Sequence, residues 1–382
     1  MSVHQNLLCE SREAAGRLAR GELRMHVCRD CGFVFNAAFD ESLLEYGRQY
    51  DNTQTHSPAF QEYVDQIVDR LVQRPEVRRG AVVEVGCGKG GFLRRLVEQA
   101  GPECAGHGYD PAYVGEEEAL EGRLRFHRRY YQPDHAADVV LSRHVIEHIP
   151  QPMELLKSVR RTLVGSPHAR GPARVCFETP CALWILKNQV VWDLFYEHCS
   201  LFTADSLATA FRLAGFQVES VEHVFGGQYL WLEAVLDRDA APAPAARLSS
   251  TCAPEVVALA REFARKEAEL IARWRRIVEE RARCGGVVVW GGGAKGATFA
   301  SLVDRDCRWV SAVVDVNPNK QGRFLPGAGH PLVSPKSLAS LSIKSAILLN
   351  PNYADEVRGQ LQELGLNIEL IDLMNEPARS DS

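Results

Sequence analysis

The chain contains two stretches in which short apolar runs alternate with amphipathic segments. In residues 61–238, "FQEYVDQIVDRLVQR" places apolar residues at helical spacing, whereas "GAVVEVG", "ADVVLSRH" and "ARVCFETP" have the pattern of buried strands. Strands that alternate with helices predict a doubly wound α/β domain. The same alternation returns in "GGVVVWGGGAKGATF", "VSAVVDV" and "SAILLN". These segments predict a second, smaller α/β unit over residues 286–382.

Residues 239–285 separate the two α/β units. "DAAPAPAARLSS", at 239–250, is rich in Ala, Pro and Ser and predicts a linker or exposed loop. A long helix is then predicted between Pro254 and the pair Gly285-Gly286, because Pro begins helices and Gly ends them. Its apolar stripe covers few heptads, so packing on a domain is favoured over a free coiled coil. The stripe comprises Leu259, Phe263, Leu270, Trp274 and Ile277.

Composition narrows the class of protein. Apolar residues make up 46% and charged residues 24% of the 382 residues, which is typical of a soluble globular protein. The net charge of −5 argues against a nucleic-acid or anionic-membrane partner. The N-terminus has no secretion signal and no apolar run could span a bilayer, so we expect a cytoplasmic protein. The eleven scattered cysteines are then expected to be mainly reduced thiols.

A glycine-rich turn follows the first buried strand. "VVEVGCGKGGFLRRL" places Glu84 near the strand end and Gly86, Gly88 and Gly90 at alternate positions before a helix. Glycines let the backbone turn sharply there and approach a ligand closely. Asp110 follows Gly88 by 22 residues, where an acidic residue can meet ribose hydroxyls. The pairing of the loop with this aspartate predicts a nucleoside-containing cofactor.

The spacing Glu-x-Gly-x-Gly-x-Gly resembles the first motif of class I methyltransferases, which bind S-adenosylmethionine. The dinucleotide fingerprint also has a formal match ending at Gly91, but Glu84, two residues before the first glycine, fits the methyltransferase form better. The resemblance implies that Glu84 lies near the methionine part of the cofactor and Asp110 at the ribose. It also implies that the end of the next strand, "LSRHVIEHIPQP", borders cofactor and substrate, so His144 is expected to contact the cofactor.

Six further stretches extend the resemblance over residues 20–375. "CRDCGFVFN", "FETP", "YEHCSLFT", "GGQYLWLEA", "GGGAKGATF" and "DVNPNKQGRFLPG" resemble, in the same order, the three-part sugar C-methyltransferases. The resemblance implies a small zinc-ribbon-like domain over 1–60, a class I Rossmann-like methyltransferase domain over 61–238 and a Rossmann-like C-terminal domain that helps to bind substrate. It implies C-methylation next to the ketone of a nucleotide-linked keto sugar.

Removal of a proton from such a carbon needs a base and a group that stabilises the enolate oxygen. The resemblance implies His198 as the base, Glu197 as its partner or alternate base, and His148 as the enolate stabiliser. Neighbouring residues do not face one another in a regular helix or strand, so Glu197 and His198 must lie in a turn to address one substrate. Tyr196 and Tyr229 are expected to contact the substrate.

Two departures from the sugar enzymes stand out. Phe195 occupies the position two residues before the Glu of this motif, where those enzymes usually have Tyr, so one phenol is missing or has moved to Tyr196. The zinc domain of that family also opens with a CxxC pair that this chain lacks. Cys28 and Cys31 supply two of the four ligands of a structural zinc, and plain thiols on a turn are favoured over a zinc site.

A second glycine loop opens the last domain. Gly291, Gly293 and Gly296 form G-x-G-x-x-G between a strand and a helix, and Asp315 follows Gly293 by 22 residues. Alone, this pattern would predict an NAD site. The resemblance favours use by the substrate phosphates, or a structural role, over nicotinamide binding. Lys295 is either a further phosphate contact or a solvated lysine.

Four functions thus stand in order: C-methylation of a small keto metabolite, O- or N-methylation with His198 deprotonating the acceptor, NAD-dependent oxidation at the second loop, and a silent binding protein. Glu84 with Asp110 argues against the oxidoreductase, and the retained Glu197, His198 and His148 argue against the silent protein. The oligomeric state stays open.

Overall fold

The computed structural model describes residues 1–44, 54–164, 173–236 and 252–374. The predicted linker at 239–250 lies outside the described residues. The helices are α1 Arg12–Gly16, α2 Pro58–Val72, α3 Pro75–Arg78, α4 Gly91–Ala100, α5 Pro152–Val164, α6 Ala182–Lys187, α7 Ala204–Leu213, α8 Ala253–Arg283, α9 Ala294–Val303 and α10 Ala354–Glu363.

The strands belong to three sheets. They are β1 Met25–Val27, β2 Val34–Asn36, β3 Ala81–Val85, β4 Ala105–Tyr109, β5 Glu118–Ala119, β6 Leu124–His127, β7 Val139–Arg143, β8 Arg174–Pro180, β9 Ser200–Leu201, β10 Phe216–Val224, β11 Tyr229–Leu236, β12 Val287–Trp290, β13 Val310–Val314, β14 Leu332–Val333, β15 Ser345–Leu348 and β16 Glu369–Asp372.

The central sheet has the order β10-β11-β8-β7-β3-β4-β6-β5. Strands β3, β4, β6, β7 and β8 are parallel, and β11 runs antiparallel to both β8 and β10. Apolar cores cover both faces, one with α2 and α4 and the other with α5 and α7. The predicted doubly wound α/β domain is therefore confirmed. The order reverses at β3, where ligands of such sheets bind at the carboxyl ends of the strands.

The third sheet is parallel throughout and has the order β14-β13-β12-β15-β16. The long helix α8 packs against it, against α9 and against α6 of the central domain. Phe263 and Trp274 of the predicted stripe are buried, and the Trp274 ring meets Trp192 and Phe299 edge-on. The helix therefore joins the two α/β domains through one shared apolar core.

The N-terminal residues are less independent than the sequence suggested. The β1–β2 hairpin is completed by β9, which lies in the central domain's part of the chain. Cys9 forms an isolated β-bridge with Phe324 of the third domain. The block predicted as a separate unit over 1–60 thus borrows a strand from residues 200–201, because a two-stranded ribbon is marginal on its own.

Candidate active site

The first glycine loop has a backbone that other residues adopt only under strain. Gly86, Gly88 and Gly90 have φ angles of +73°, +53° and +75°. A Cβ at Gly86 would lie 2.1 Å from Val145 Cγ2, and one at Gly90 would lie 2.4 Å from the Phe126 ring. The three alternate glycines of the methyltransferase spacing are thus the ones that the turn requires.

Asp110 holds this loop against the end of β4. Its Oδ2 accepts a hydrogen bond from Gly88 N at 2.9 Å, and its Oδ1 accepts one from Ala112 N at 2.7 Å. Burial raises the pKa of Asp110, and the two amide donors oppose that rise. The carboxylate is therefore fixed beside the loop, with lone pairs remaining for hydroxyl donors.

Glu84 is a buried acid on the other side of the loop. Glu84 is only 2% exposed, and its Oε2 has no hydrogen-bond partner among the described residues. Burial raises the pKa of Glu84 to about 8, against the opposing effect of Arg143, while Asp110 adds to the rise. An unsatisfied buried carboxylate is costly unless a ligand pairs with it. The ammonium group of S-adenosylmethionine fits this oxygen, and its ribose fits Asp110.

Beside the loop, the ends of β7 and β8 carry a buried ion cluster. Arg143 Nε donates to Glu178 Oε2 at 2.6 Å, and His144 Nε2 lies 2.9 Å from Glu178 Oε1. His144 Nδ1 lies 3.3 Å from Glu147 Oε1, near enough for an ion pair although outside hydrogen-bond geometry. His144 adopts a φ of +54°, which is uncommon for a residue with a side chain and is held here by these contacts.

The cluster fixes the charges of its members. Burial would raise the pKa of Glu178, but Arg143 and His144 lower it to about 2. Burial would lower the pKa of His144, but Glu178 and Glu147 raise it to about 9. His144 was expected to contact the cofactor, yet both of its ring nitrogens face carboxylates. It contributes positive charge to the site and leaves neither nitrogen free to accept a proton.

A cavity of about 250 Å³ lies where the three parts of the chain meet. The central domain contributes His144, His148, Phe195, His198 and Tyr229, the third domain contributes Gly293, Lys295, Asp315 and Tyr353, and the N-terminal segment contributes Asn6. The expected catalytic histidines, Tyr229 and the second glycine loop therefore line one cavity.

His198 and His148 lie edge to face in the lining of this cavity. Their ring centroids are 4.8 Å apart and the planes are perpendicular. The Nδ1 of His198 is buried and has no hydrogen-bond partner among the described residues. Burial, with the charges of His148, His144 and Lys295, lowers the pKa of His198 well below its usual range. The imidazole is therefore neutral near pH 7, and the same burial makes it a weaker base than an exposed histidine.

Glu197 does not join His198 as the sequence had suggested. The two residues lie at a turn, as their adjacency required. However, Glu197 Oε2 accepts a hydrogen bond from Gln5 N at 2.8 Å, and Oε1 lies 3.7 Å from His4 Nδ1. Glu197 is fully buried and does not line the cavity. The prediction of Glu197 as partner or alternate base is therefore corrected: its carboxylate anchors the N-terminal segment that brings Asn6 to the cavity.

Tyr196 also points away from the cavity. Its hydroxyl accepts from Asp40 N at 2.8 Å, and its ring packs 5.2 Å from that of Phe39. Phe195, the residue before it, lines the cavity. The expected substrate contact of Tyr196 is therefore not made, because successive side chains of this turn diverge. The phenol absent at Phe195 is not replaced by its neighbour.

Lys295 is held by the central domain. Its Nζ lies 2.7 Å from Asp193 Oδ2 and donates to Gln228 Oε1 at 2.9 Å. It also lies 5.3 Å from the centre of the Trp184 ring. Neither expectation for Lys295, a phosphate ligand or a solvated lysine, describes these contacts. The side chain ties the first turn of α9 to the central domain at the cavity wall.

The second loop binds its own acidic residue. Gly292 N donates to Asp315 Oδ2 at 2.9 Å, and the nearly buried Lys320 lies 3.5 Å from the same oxygen. Gly293 is the N-cap of α9, so the backbone amides of the first turn open toward the cavity. The arrangement favours negative charge at the helix end while neutralising Asp315.

Cys28 and Cys31 lie on the turn of the β1–β2 hairpin, where Gly32 N donates to Cys28 O at 2.9 Å. Within the described ranges, no third metal-binding side chain gathers around this pair, and Cys9 lies instead against Phe324. The zinc site therefore stays a prediction without a complete ligand set. Groups of three metal-binding side chains occur at His107, His127 and His135, and at Glu147, His148 and His198.

Sequence reasoning missed Glu178, Arg143 and Asp193. Glu178 stands in "FETP", a carboxylate near the carboxyl end of a wholly buried strand. A charged residue at that edge of a parallel sheet marks a ligand site, and this signal was available. The pairing of Asp193 with Lys295 joins residues about a hundred positions apart and left no local pattern.

A sheet in this order, with a parallel centre and with Glu84, the alternate glycines and Asp110 at its switch point, defines a class I methyltransferase fold. The chain is an S-adenosylmethionine-dependent methyltransferase, so the expected enzyme class and cofactor are confirmed. Residues 57–221 match the family described as a methyltransferase domain, and residues 251–367 match the C-methyltransferase C-terminal domain. Together the two matches support the assignment of the chain as an S-adenosylmethionine-dependent C-methyltransferase.

Among curated proteins, the chain is similar to the C-methyltransferase NovU of Streptomyces niveus. The two are 28% identical over an alignment that covers 92% of this chain and 85% of NovU. The similarity therefore extends over more of the chain than either family match.

Two solved structures are similar to part of the chain. An S-adenosylmethionine-dependent methyltransferase from Mesorhizobium loti is 16% identical over 44% of this chain and 96% of its own, with a TM-score of 0.34. Magnesium protoporphyrin IX methyltransferase from Synechocystis, with bound SAH, is 20% identical over 50% and 89%, with a TM-score of 0.37. The strand order, rather than these similarities, defines the fold. No helix of the described residues has the length and apolar character needed to cross a bilayer.

Proposed function

We propose that the enzyme methylates a carbon next to the ketone of a nucleotide-linked keto sugar, and that the reaction passes through an enolate. The observation that carries the proposal is the cavity that neutral His198, His148 and the N-terminal turn of α9 line together. A base and an anion-binding helix end are the two groups that such a substrate needs.

The proton transfer is assigned to His198. A carbon acid gives up its proton only to a base that is unprotonated at the working pH, and burial keeps His198 in that form. His148, perpendicular to it at 4.8 Å, is placed to donate to the oxygen that becomes the enolate. When bound, S-adenosylmethionine supplies an electrophilic methyl group to the resulting carbanion.

The diphosphate of the substrate is assigned to the second loop. Gly291 and Gly293 line the cavity together with the first turn of α9, whose amides have no partner within the helix. Lys295 is engaged by Asp193, so the backbone of this turn is expected to bind more strongly than that lysine. Carbon as the acceptor, rather than oxygen or nitrogen, is supported by the name of NovU and by the C-terminal domain match.

The test is solvent deuterium exchange. Nucleoside-diphosphate-linked 4-keto deoxysugars are incubated with enzyme and S-adenosylhomocysteine in heavy water, and exchange next to the ketone is followed by NMR. His198→Ala should slow exchange by about 10²–10⁴-fold. His223→Ala, at an exposed histidine, is the matched control. Methylation of a hydroxyl or amine with no exchange at carbon would contradict the proposal.

A second variant separates the base from the anchor. Glu197→Gln keeps an acceptor for Gln5 N but has no basicity, so exchange should continue within a few-fold of wild type. If Glu197→Gln abolished exchange while the protein remained folded, the carboxylate would be the base and the assignment to His198 would be wrong.

A further inference from the structure

Three histidines cluster outside the cavity and outside the chemistry proposed for it. His107 lies on β4, His127 ends β6, and His135 lies in the segment that leads to β7. One ring nitrogen from each comes within 4.8 Å of the other two. We propose that these three imidazoles form a binding site for a zinc ion.

The ring geometry is the first support. His107 Nδ1 and His127 Nε2 lie 3.1 Å apart. Zinc–nitrogen bonds of about 2.0–2.1 Å place two ligands of a tetrahedral ion roughly 3.3 Å apart, so the spacing of this pair is close to that of two zinc ligands. The His135 ring is stacked 4.0 Å from that of His107, so binding of the ion requires this ring to rotate until its nitrogen points at the metal. In the absence of metal, the same two nitrogens share a single proton in a hydrogen bond.

The residues around the histidines are the second support. Asp134 Oδ1 lies 3.0 Å from His135 Nδ1, and this carboxylate also accepts from the Tyr109 hydroxyl and from Arg129. Metal-binding histidines usually present their second nitrogen to a carboxylate in this way, which orients the ring. Because Asp134 occupies Nδ1 of His135, Nε2 is the nitrogen left for the ion.

The ligand set defines the ion and its coordination. Three imidazoles without thiolate favour zinc or another first-row divalent ion, rather than magnesium or calcium. All three side chains are half-buried, so a water molecule can complete a tetrahedral sphere. The site is therefore unlike the Cys28–Cys31 pair, where zinc would need thiolates.

The position of the site connects it to the cofactor. Asp110 N donates to His127 O at 3.1 Å, so the ligand that ends β6 also holds the residue expected at the ribose. An ion at the cluster would tie β4, β6 and the segment after β6 together. We therefore expect zinc to stabilise the protein and to tighten S-adenosylmethionine binding by a few-fold, without entering the chemistry.

Metal analysis of the full chain tests the site. Protein stripped by a chelator is titrated with zinc by calorimetry and with cobalt by visible spectroscopy, and bound metal is measured by mass spectrometry. We expect about one equivalent held by nitrogen and oxygen ligands, with no thiolate-to-cobalt charge-transfer band. His107→Gln and His135→Gln should each weaken zinc binding at least about tenfold.

The other candidate groups supply the controls. The double variant Cys28→Ser, Cys31→Ser and, separately, His198→Ala should still bind about one equivalent of metal. Loss of metal in either control, or unchanged zinc affinity in both His107→Gln and His135→Gln, would overturn the proposal. The thermal unfolding of each variant is also measured without metal. An unfolding temperature equal to that of the metal-free wild type shows that a loss of zinc binding is not a loss of folding.

Discussion

The chain forms a strand, a glycine turn and a helix twice, and the two copies share a backbone device. In the first, Gly88 N donates to Asp110, and in the second, Gly292 N donates to Asp315, both at 2.9 Å. Each aspartate also accepts from the amide two residues further on. The two turns nonetheless differ in the charges that surround them.

Glu84 stands two residues before the first glycine of one loop, and Val289 occupies that position in the other. Asp315 has Lys320 at 3.5 Å, whereas the Asp110 oxygens meet backbone amides. The first loop is thus prepared for a cationic ligand with hydroxyls, and the second for a neutral or anionic one. Shared backbone geometry places a ligand, and the neighbouring side chains select its charge.

The largest effect is expected at the ion cluster beside the first loop. At the corresponding strand end beside the second loop, β15 carries the apolar residues Leu348 and Leu349 instead. Glu178→Gln leaves Arg143 and His144 buried without their carboxylate and should lower the free energy of unfolding by about 3–5 kcal/mol. Urea unfolding at pH 7 measures it. Glu222→Gln, at a half-exposed pair with Arg70, should change stability by less than about 1 kcal/mol.

The same cluster predicts the sign of a pH effect. His144 has its pKa raised to about 9, so its stabilising contribution is complete below about 6.5 and is lost as the pH rises through 9. Stability of the wild type should therefore fall between pH 7 and 9, and Glu178→Gln should flatten that fall. An equal fall in both proteins would assign the effect to another group.

The next effect distinguishes the two aspartates. Asp110→Asn removes a charged acceptor from the ribose site and should weaken S-adenosylmethionine binding by about 10–100-fold, corresponding to roughly 1.5–3 kcal/mol. Asp315→Asn should leave that affinity unchanged and alter the KM of the sugar nucleotide instead. Calorimetry with the cofactor, followed by steady-state kinetics, checks both. Stabilisation of the protein by NAD, lost in Asp315→Asn, would reverse the comparison.

Gly91 and Gly296, the third glycines of the two G-x-G-x-x-G patterns, offer a matched pair. A Cβ at Gly296 would lie 1.9 Å from Gly291 O, whereas a Cβ at Gly91 meets nothing within 4 Å. Gly296→Ala should destabilise the protein by about 1–3 kcal/mol, and Gly91→Ala should be neutral or stabilising by up to about 1 kcal/mol. Thermal unfolding distinguishes them. Equal losses would show that both loops need the dinucleotide spacing.

The smallest effect concerns Glu84. Its pKa of about 8 means that it is mostly protonated at pH 7 without cofactor, and an ammonium group would favour the ionised form. Affinity for S-adenosylmethionine should therefore rise about fivefold between pH 7 and 8, because the ionised fraction grows by that factor. Glu84→Gln should remove this pH dependence of the affinity, and Asp315→Asn should retain it. A slope that survives Glu84→Gln would belong to a different acid.

The first loop could be predicted from sequence because its parts are close together in the chain. Glu84, the glycines and the strand are contiguous, and Asp110 follows after one helix and one strand, a spacing that the fold fixes. The long helix was predicted for the same reason, since Pro and Gly marked its ends. Local patterns of this kind survive folding because burial of their apolar faces reinforces them.

The directions of neighbouring side chains could not be predicted. Glu197 and His198 are adjacent, yet one meets Gln5 and the other enters the cavity, and only the path of the N-terminal segment decides which. The charge on His144 depends on Glu178, which lies 34 residues away. Such pairs leave no periodic pattern in the sequence, because they form between elements that are distant in the chain and come into contact only in the folded structure.

The pairing of β2 with β9 has a consequence for how this architecture can be recombined. Only two residues, Ser200 and Leu201, complete the N-terminal sheet, and they follow the turn that carries His198. A chimaera that exchanged the N-terminal residues alone would set a foreign strand against β9 and a foreign backbone against Glu197. The N-terminal unit and the turn that carries His198 must therefore be grafted together, although the two are far apart in the sequence.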